Sequence, residues 1–320
     1  MSDQRITVVG AGLAGLAAAR ALADAGAAVR VLDRGRVPGG RLASRRIDER
    51  PVDLGASYLT APEGSRFAGI VDDWVARGLA RPWTDAFRVA DDERMHGSST
   101  GPIRYAAPAG LRSLAVDLAT GLDVRQQAAV ACVTADGVEL DEGELLASDA
   151  VVLAMPDPQA RRLLEPAHPL LDLLQRPEEW EPVIAVALRW PERAWPADLH
   201  GVFVNDSPTV GFIADDGDRR GDGAPVLVAH TTPALARRHL DDPDTVVPEV
   251  VAAVRRILGI AVEPASTYAH RWTFARPAAA HDEPFALDGG VGVAGDGWGG
   301  KPSAGAAWTS GDALGKALSA

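Results

Sequence analysis

Residues 6 to 33, ITVVGAGLAGLAAARALADAGAAVRVLD, constrain this chain more than any other stretch. An apolar run, Ile6 to Val9, leads into Gly10, Gly12 and Gly15 at GxGxxG spacing. An alanine-rich segment that opens with Leu13 and Ala14 follows, and Ala28 to Leu32 make a second apolar run. The pattern predicts strand, tight turn, helix and strand. In such a unit Gly10 permits the sharp turn, Gly12 lets the backbone approach a pyrophosphate, and Gly15 lets helix and strand pack closely. The helix N-terminus turns unpaired N–H groups and its positive dipole end toward the phosphates. Asp33 closes the second strand, where a carboxylate accepts hydrogen bonds from both ribose hydroxyls and repels an added 2′-phosphate. The chain is therefore expected to open with a nucleotide-binding βαβ unit.

At 320 residues there is room for two domains, and 47% apolar residues supply their cores. No apolar stretch reaches the roughly 18 to 20 charge-free residues that span a bilayer. The stretch from Ile6 to Ala19 has no basic cluster ahead of it, and Arg20 and Asp24 follow without a cleavage signal, so it reads as mature fold and the protein as cytoplasmic. The single cysteine, Cys132, excludes an intramolecular disulfide and a cysteine zinc cage. It lies in a strand-like run, as a buried inert thiol does, and no metal-ligand spacing occurs. A net charge of −12 argues against nucleic acid as a partner. An anionic small ligand stays open, held by local arginines and backbone N–H groups. Oligomeric state is not legible.

Along the chain, residues 66–80 place Phe67, Ile70, Val71, Trp74 and Val75 on one helical face, and 111–120 predict another helix. VACVTADGVEL reads as a hairpin turning at Asp136 and Gly137, and DAVVLAMPDP as a buried parallel strand stopped by proline. VIAVALRW, VGFIAD and PVLVAHTT read as strands of a mostly antiparallel sheet, interrupted by the charged loop ADDGDRRGDGA. An amphipathic helix is expected over 244–259, and GGVGVAGDGWGG is a last apolar strand running into glycines. Nucleotide-type elements open and close the chain. We expect a discontinuous nucleotide domain of residues 1–62, 105–158 and 285–320, with 63–104 and 159–284 forming the substrate domain.

A second glycine cluster, VPGGRLASRR at 37–46, follows Asp33 closely. Gly39 and Gly40 can adopt positive φ and expose successive N–H groups, while Arg41 adds a fixed cation. A nicotinamide dinucleotide needs only the first cluster, so two clusters imply a longer ligand gripped twice. FAD, bound non-covalently, fits.

With these motifs the sequence resembles the flavin amine oxidase superfamily, on GAGLAGL, PGGR, DLGASYLT at 53–60 and AGDGWGGKPSAGAAWTSGDAL at 294–314. APAGLRSL at 107–114, LAMPDP at 153–158, VAHTTP at 228–233 and HRWTFARP at 270–277 make it most similar, within that superfamily, to the renalases. The resemblance implies an α/β fold, with a Rossmann-type FAD-binding domain of the p-hydroxybenzoate hydroxylase type and a second, mostly antiparallel sheet domain over the flavin ring. It assigns Gly10, Gly12, Leu13, Ala14, Gly15, Asp33, Arg34, Gly40, Arg41 and Leu42 to the adenosine, pyrophosphate and ribityl. Ala56, Ser57 and Tyr58 then lie beside the ring, and Gly295 and Asp296 meet the ribityl and phosphate. Ala304, Gly305 and Ala306 open a helix whose N–H groups face flavin N1 and O2, where reduced flavin carries negative charge. Asp33 stands where the superfamily often has glutamate.

The renalase resemblance implies an oxidase that takes a hydride from 2- or 6-dihydro isomers of NAD(P)H, yields NAD(P)⁺ and reduces oxygen to hydrogen peroxide. Rearomatisation drives the hydride loss and no proton leaves the substrate, so no general base is needed. The chain shows no nucleophile paired with a base, in keeping with this. His230, ending PVLVAH, is the side chain expected to orient the nicotinamide carboxamide; a structural histidine bonded to a loop carbonyl is the other reading. Period-two alternation puts Tyr268, His270, Trp272 and Phe274 on one strand face, with Trp272 either walling the substrate site or simply core. Arg271 or Arg276 is a weaker candidate for substrate phosphates, and Thr231 and Tyr105 are weaker still. Two other functions compete. A flavin amine oxidase usually carries an aromatic pair and a lysine near flavin N5, and here no such pair is visible and only Lys301 and Lys316 are available. A flavin-free binding protein like the Rab GDP-dissociation inhibitors has no need of both glycine clusters.

Overall fold

The computed structural model describes residues 4–320. Its first layer is a six-stranded sheet in the spatial order Ala286–Asp288, Val291–Ala294, Ala150–Ala154, Arg5–Val9, Ala28–Asp33, Asp123–Gln126. All neighbours are parallel except the first pair. Strands buried on both faces read as continuous apolar runs, which is why ITVV and AVVLA lie at its centre. The helix Leu13–Asp24 and the last helix, Ala304–Ser319, pack together so closely that a Cβ on Gly311 or Gly315 would run into the carbonyls of Ala14 and Ala18. The helix Arg66–Ala76 joins this core through Phe67, Val71 and Trp74, with Phe67 5.9 Å from the Trp308 ring. The sequence assigned residues 63–104 to the other domain, and for this helix the packing differs: its apolar face covers the nucleotide layer.

The second layer is a seven-stranded sheet in the order Ser266–Pro277, Trp180–Arg189, Val226–Thr231, Val210–Asp215, Gly201–Val204, Arg81–Ala90, Met95–Ala106. Only the pairing of Gly201–Val204 with Arg81–Ala90 is parallel. Ile184, Val186, Leu227, Ala229 and Ile213 point to one face, covered by Val250, Val254 and Ile257 of the helix Val247–Leu258. The expected helix over 244–259 begins as a 3-10 turn, Pro243–Val246. The other face looks toward the nucleotide layer across the ribbon Ser44–Ile47 and Arg50–Asp53.

Two local expectations are corrected. The hairpin turns one residue earlier, at Ala135 and Asp136, because Thr134 pairs with Gly137. Gly137 serves the ladder instead: a Cβ there would strike the Leu146 carbonyl of the adjacent antiparallel strand, Leu145–Ala147. The charged loop at 214–224 contains a short helix, Asp216–Arg220, in which Asp216, Arg219 and Arg220 are buried.

Candidate functional site

The two glycine clusters form one cradle. Gly39 N–H donates to the Ala11 carbonyl at 2.8 Å, which brings the second cluster over the first. Gly10 has φ +110°, and a Cβ there would strike the Ala154 carbonyl. Gly15 likewise has no room beside Gly10 O and Ala154, so both glycines are required by packing within the chain. Gly12 differs: the nearest atom to a Cβ there is the Gly40 Cα, 3.9 Å away. Nothing inside the chain fills that space, and glycine at 12 keeps it open for a group from outside. The first helix has Gly12 at its N-cap with no side-chain cap, leaving its opening N–H groups turned to the same space.

At the end of the second strand, Asp33 accepts the Ala11 and Gly35 N–H groups at 2.6 Å each, which fixes the carboxylate beside the turn. Gln126 is the register partner of Asp33, and both polar atoms of its buried amide lack a partner among the described residues. Sequence reading missed Gln126, whose signal is only its place at the end of a neighbouring strand. Arg34 is exposed at the rim.

Beyond the cradle, Arg41 and Asp296 form a two-pronged ion pair at 2.8 and 2.7 Å, with Arg41 also on the Ala275 carbonyl at 3.1 Å. Asp296 therefore directs both carboxylate oxygens at Arg41, and Gly295 N–H is taken by Ser310 Oγ at 3.1 Å. Of the three amides expected to open the last helix, Ala306 N–H is engaged by the N-cap Ser303 at 3.0 Å, and only Ala304 and Gly305 stay outside the cap. Leu42 is buried in the turn Gly40–Leu42. Ala56 N–H donates to the Arg41 carbonyl at 2.9 Å, and Gly55, which sequence reading passed over, has no room for a Cβ against that same carbonyl.

The sheet face opposite carries the second half of the site. One rung of the ladder reads His270, Ala185, His230, Phe212, Phe203 across five strands. Directly paired residues point to the same side, so these five share one face. His230 is half-buried, 6.3 Å from the Phe212 ring, and its Nε2 has no hydrogen-bond partner among the described residues. Removal from water, with Arg219 and Arg276 adding positive charge, lowers its pKa to about 4 and leaves it neutral. His270 is lowered too, first by burial and then by Arg45, Arg112 and Arg271. Trp272 Nε1 donates to the Leu54 carbonyl at 2.7 Å, so its indole props the 53–58 segment. Tyr58 turns its ring to Phe87 at 5.4 Å and Phe212 at 6.2 Å.

The remaining sequence candidates lie elsewhere. Arg271 is exposed and bonds the Leu240 carbonyl, and Arg276 pairs with Glu181. Thr231 Oγ1 accepts the Ile184 N–H at 3.0 Å, and the backbone of Tyr105 bridges Leu59. Lys301 is exposed and Lys316 pairs with Asp312 at 2.7 Å, both away from the sheet rung.

Arg219, hidden in the charged string, links the halves. It donates to the Ser57 carbonyl at 2.9 Å and the Asp53 carbonyl at 3.0 Å, and pairs with Asp216. Arg50 and Arg220 converge on the same Asp216, whose carboxyl is held far below the usual range by these three cations against the opposing effect of burial. Ser44 donates to Asp53, which also accepts the Leu111 N–H at 3.0 Å. The network sets the strand end from which Gly55 to Tyr58 leave.

Comparison with known proteins matches residues 8–74 to the NAD(P)-binding Rossmann-like domain and residues 84–311 to the flavin containing amine oxidoreductase family. The carotenoid 3,4-desaturase of Haloarcula japonica is 41% identical over 63 residues, 20% of this chain and 13% of that protein. The coproporphyrinogen III oxidase of Propionibacterium freudenreichii subsp. freudenreichii is 31% identical over 161 residues, 48% of this chain and 30% of that protein. The match thus spans a minor part of the length of these curated relatives. In fold, the chain is similar to a putative protoporphyrinogen oxidase from Exiguobacterium sp. 255-15 (TM-score 0.79, 18% identity, 100% of this chain and 99% of that one). It is also similar to the cyclohexylamine oxidase from Brevibacterium oxydans IH-35A (TM-score 0.74, 15% identity, 99% of each). The double glycine cradle, the space kept open at Gly12 and the unpartnered Gln126 amide fit FAD. FAD is thus the cofactor the cradle takes, and the chain belongs to the flavin containing amine oxidoreductase family.

Proposed function

We propose that the chain is an oxidase of the renalase type, taking a hydride from 2- or 6-dihydro isomers of NAD(P)H and releasing NAD(P)⁺. The observation that carries this reading is the character of the sheet rung: a neutral imidazole with a free Nε2, aromatic rings, and no lysine or carboxylate. A neutral imidazole suits hydrogen bonding to an uncharged carboxamide. Loss of hydride restores aromaticity to the ring, so the site must orient the dihydropyridine and exclude wrong poses rather than move a proton. Bound FAD would supply the two-electron acceptor, with oxygen as terminal oxidant taking the hydride equivalent and one solvent proton to give hydrogen peroxide.

On this reading Gly10, Gly12, Leu13, Ala14, Gly15, Gly40 and Arg41 hold the pyrophosphate, and Asp33 with Gln126 holds the adenosine. Ala56, Ser57 and the uncapped amides of Ala304 and Gly305 border the ring. His230 orients the substrate, while Trp272 and Tyr58 act as walls. The sequence-based domain division is part of the same proposal, with the helix Arg66–Ala76 reassigned to the cofactor domain.

A small amine is the second reading, favoured by the aromatic cluster in which Tyr58 meets Phe212 edge to face at 6.2 Å. Anaerobic mixing separates the two. Bleaching of the visible flavin band by a 2- or 6-dihydro isomer, and not by ordinary NADH or amines, is the expected result. Bleaching by an amine alone overturns it.

A further inference from the structure

We propose that Arg104 is the residue that recognises an anionic group of the substrate. Among the described residues three arginines are buried, Arg104, Arg219 and Arg220, at 5%, 0% and 4% exposure. Arg219 and Arg220 lie against Asp53 and Asp216 and are neutralised inside the fold. Arg104 has no carboxylate partner among the described residues, and its Nε and Nη1 are buried without any hydrogen bond. Its guanidinium lies over aromatic faces instead, 4.1 Å from the Phe87 ring centre, 5.5 Å from Tyr58 and 5.9 Å from Phe203. Stacking fixes the plane of a guanidinium and tolerates its charge, but leaves the N–H edge unsatisfied. A buried cation without a counter-ion is costly to keep, and an anion delivered by the substrate removes that cost. Gly101 leaves the approach to Nη2 open, since a Cβ there would stand 3.3 Å from it.

Arg104 is also joined to the rung through the aromatic cluster. His230 is 6.3 Å from Phe212, Phe212 is 6.2 Å from Tyr58, and Tyr58 is 5.5 Å from the guanidinium. A dihydronicotinamide dinucleotide with its ring at His230 would extend its phosphates toward the Arg104 end of this cluster. That identification rests on the proposed function; the anion site itself does not. A bidentate phosphate or carboxylate is the chemistry a guanidinium edge accepts.

The test is calorimetric titration of the FAD-loaded protein with inorganic pyrophosphate and with benzoate, using neutral nicotinamide as reference. The wild type binds at least one of the two anions saturably. Arg104→Gln lowers the preference for that anion over nicotinamide at least tenfold, and Arg104→Lys falls between the two. Pyrophosphate as the anion bound supports the dinucleotide placement, and benzoate alone supports the anion site while overturning that placement. A wild type that takes up neither anion overturns the proposal without any variant, and so does a folded Arg104→Gln protein that keeps the wild-type preference. Failure of the dihydronicotinamide reading is seen separately, as absence of flavin bleaching by the isomers.

Discussion

Arg219 donates one N–H to the Ser57 carbonyl at 2.9 Å and another to the Asp53 carbonyl at 3.0 Å, spanning the segment that borders the site from within the opposite sheet layer. Its partner Asp216 is fully buried. Arg219→Met strands part of that charge in the interior, which costs about 3–5 kcal/mol. Urea unfolding will show the loss, and flavin content will fall with it. A variant of wild-type stability would mean that Arg50 and Arg220 suffice.

The glycines of the first cluster separate into two kinds. Gly10→Ala places a methyl against the Ala154 carbonyl at φ +110°, and the apoprotein itself will be destabilised. Gly12→Val meets only the facing Gly40 Cα, 3.9 Å from the Cβ position, so apoprotein stability falls by about 1 kcal/mol, the worth of an N-cap, while FAD retention is lost. The flavin-to-protein absorbance ratio and a thermal melt of the apoprotein distinguish the two effects. Yellow Gly12→Val protein would sink the cradle assignment.

His230 makes stability depend on pH in a window that can be named. Its pKa is lowered from 6.5 to about 4 in the fold, so the unfolded chain takes up a proton that the folded chain refuses. The stabilisation is complete above the unfolded value and is lost as pH falls from 6.5 toward 4, with a slope of at most about 1.4 kcal/mol per pH unit. His230→Gln flattens that part of the profile, read from urea midpoints. The same variant slows flavin reduction by substrate with flavin content intact, and unchanged rapid-reaction traces would return the imidazole to a structural role.

Lys301 and Lys316 are the two lysines of the chain, and neither reaches the sheet rung. Lys301→Met and Lys316→Met will leave the rate of flavin reoxidation by oxygen within a factor of about two, since neither charge lies inside the site. A large loss from either, measured by oxygen uptake after anaerobic reduction, would revive the amine-oxidase reading.

The glycine clusters were legible because their signal is local: spacing, flanking apolar runs and a terminal acid. That Gly12 faces Gly40 was not, since their approach depends on the hydrogen bond from Gly39 to Ala11. The string ADDGDRRGDGA looks like a solvated loop because mutual neutralisation and hydration leave the same composition. Only the fold reveals that its arginines pair inward. Ser303 as an N-cap was readable from serine at the head of the last helix, and it engages the Ala306 amide that the sequence had grouped with Ala304 and Gly305. His230 was legible as a strand end, but its neighbours Ala185 and Phe212 come from register, which strand patterns alone do not specify.

The strand Ala150–Ala154 lies between Arg5–Val9 and Val291–Ala294, and the first helix packs on the last. During synthesis the opening βαβ unit therefore leaves the ribosome with one side of its helix bare, and Ala150–Ala154 later waits as an unpaired edge. Both are covered only when residues 291–319 emerge. Completion of the cofactor layer therefore waits for residues 291–319, and until then the bare edge is open to pairing with another chain, which is where a stalled product would aggregate.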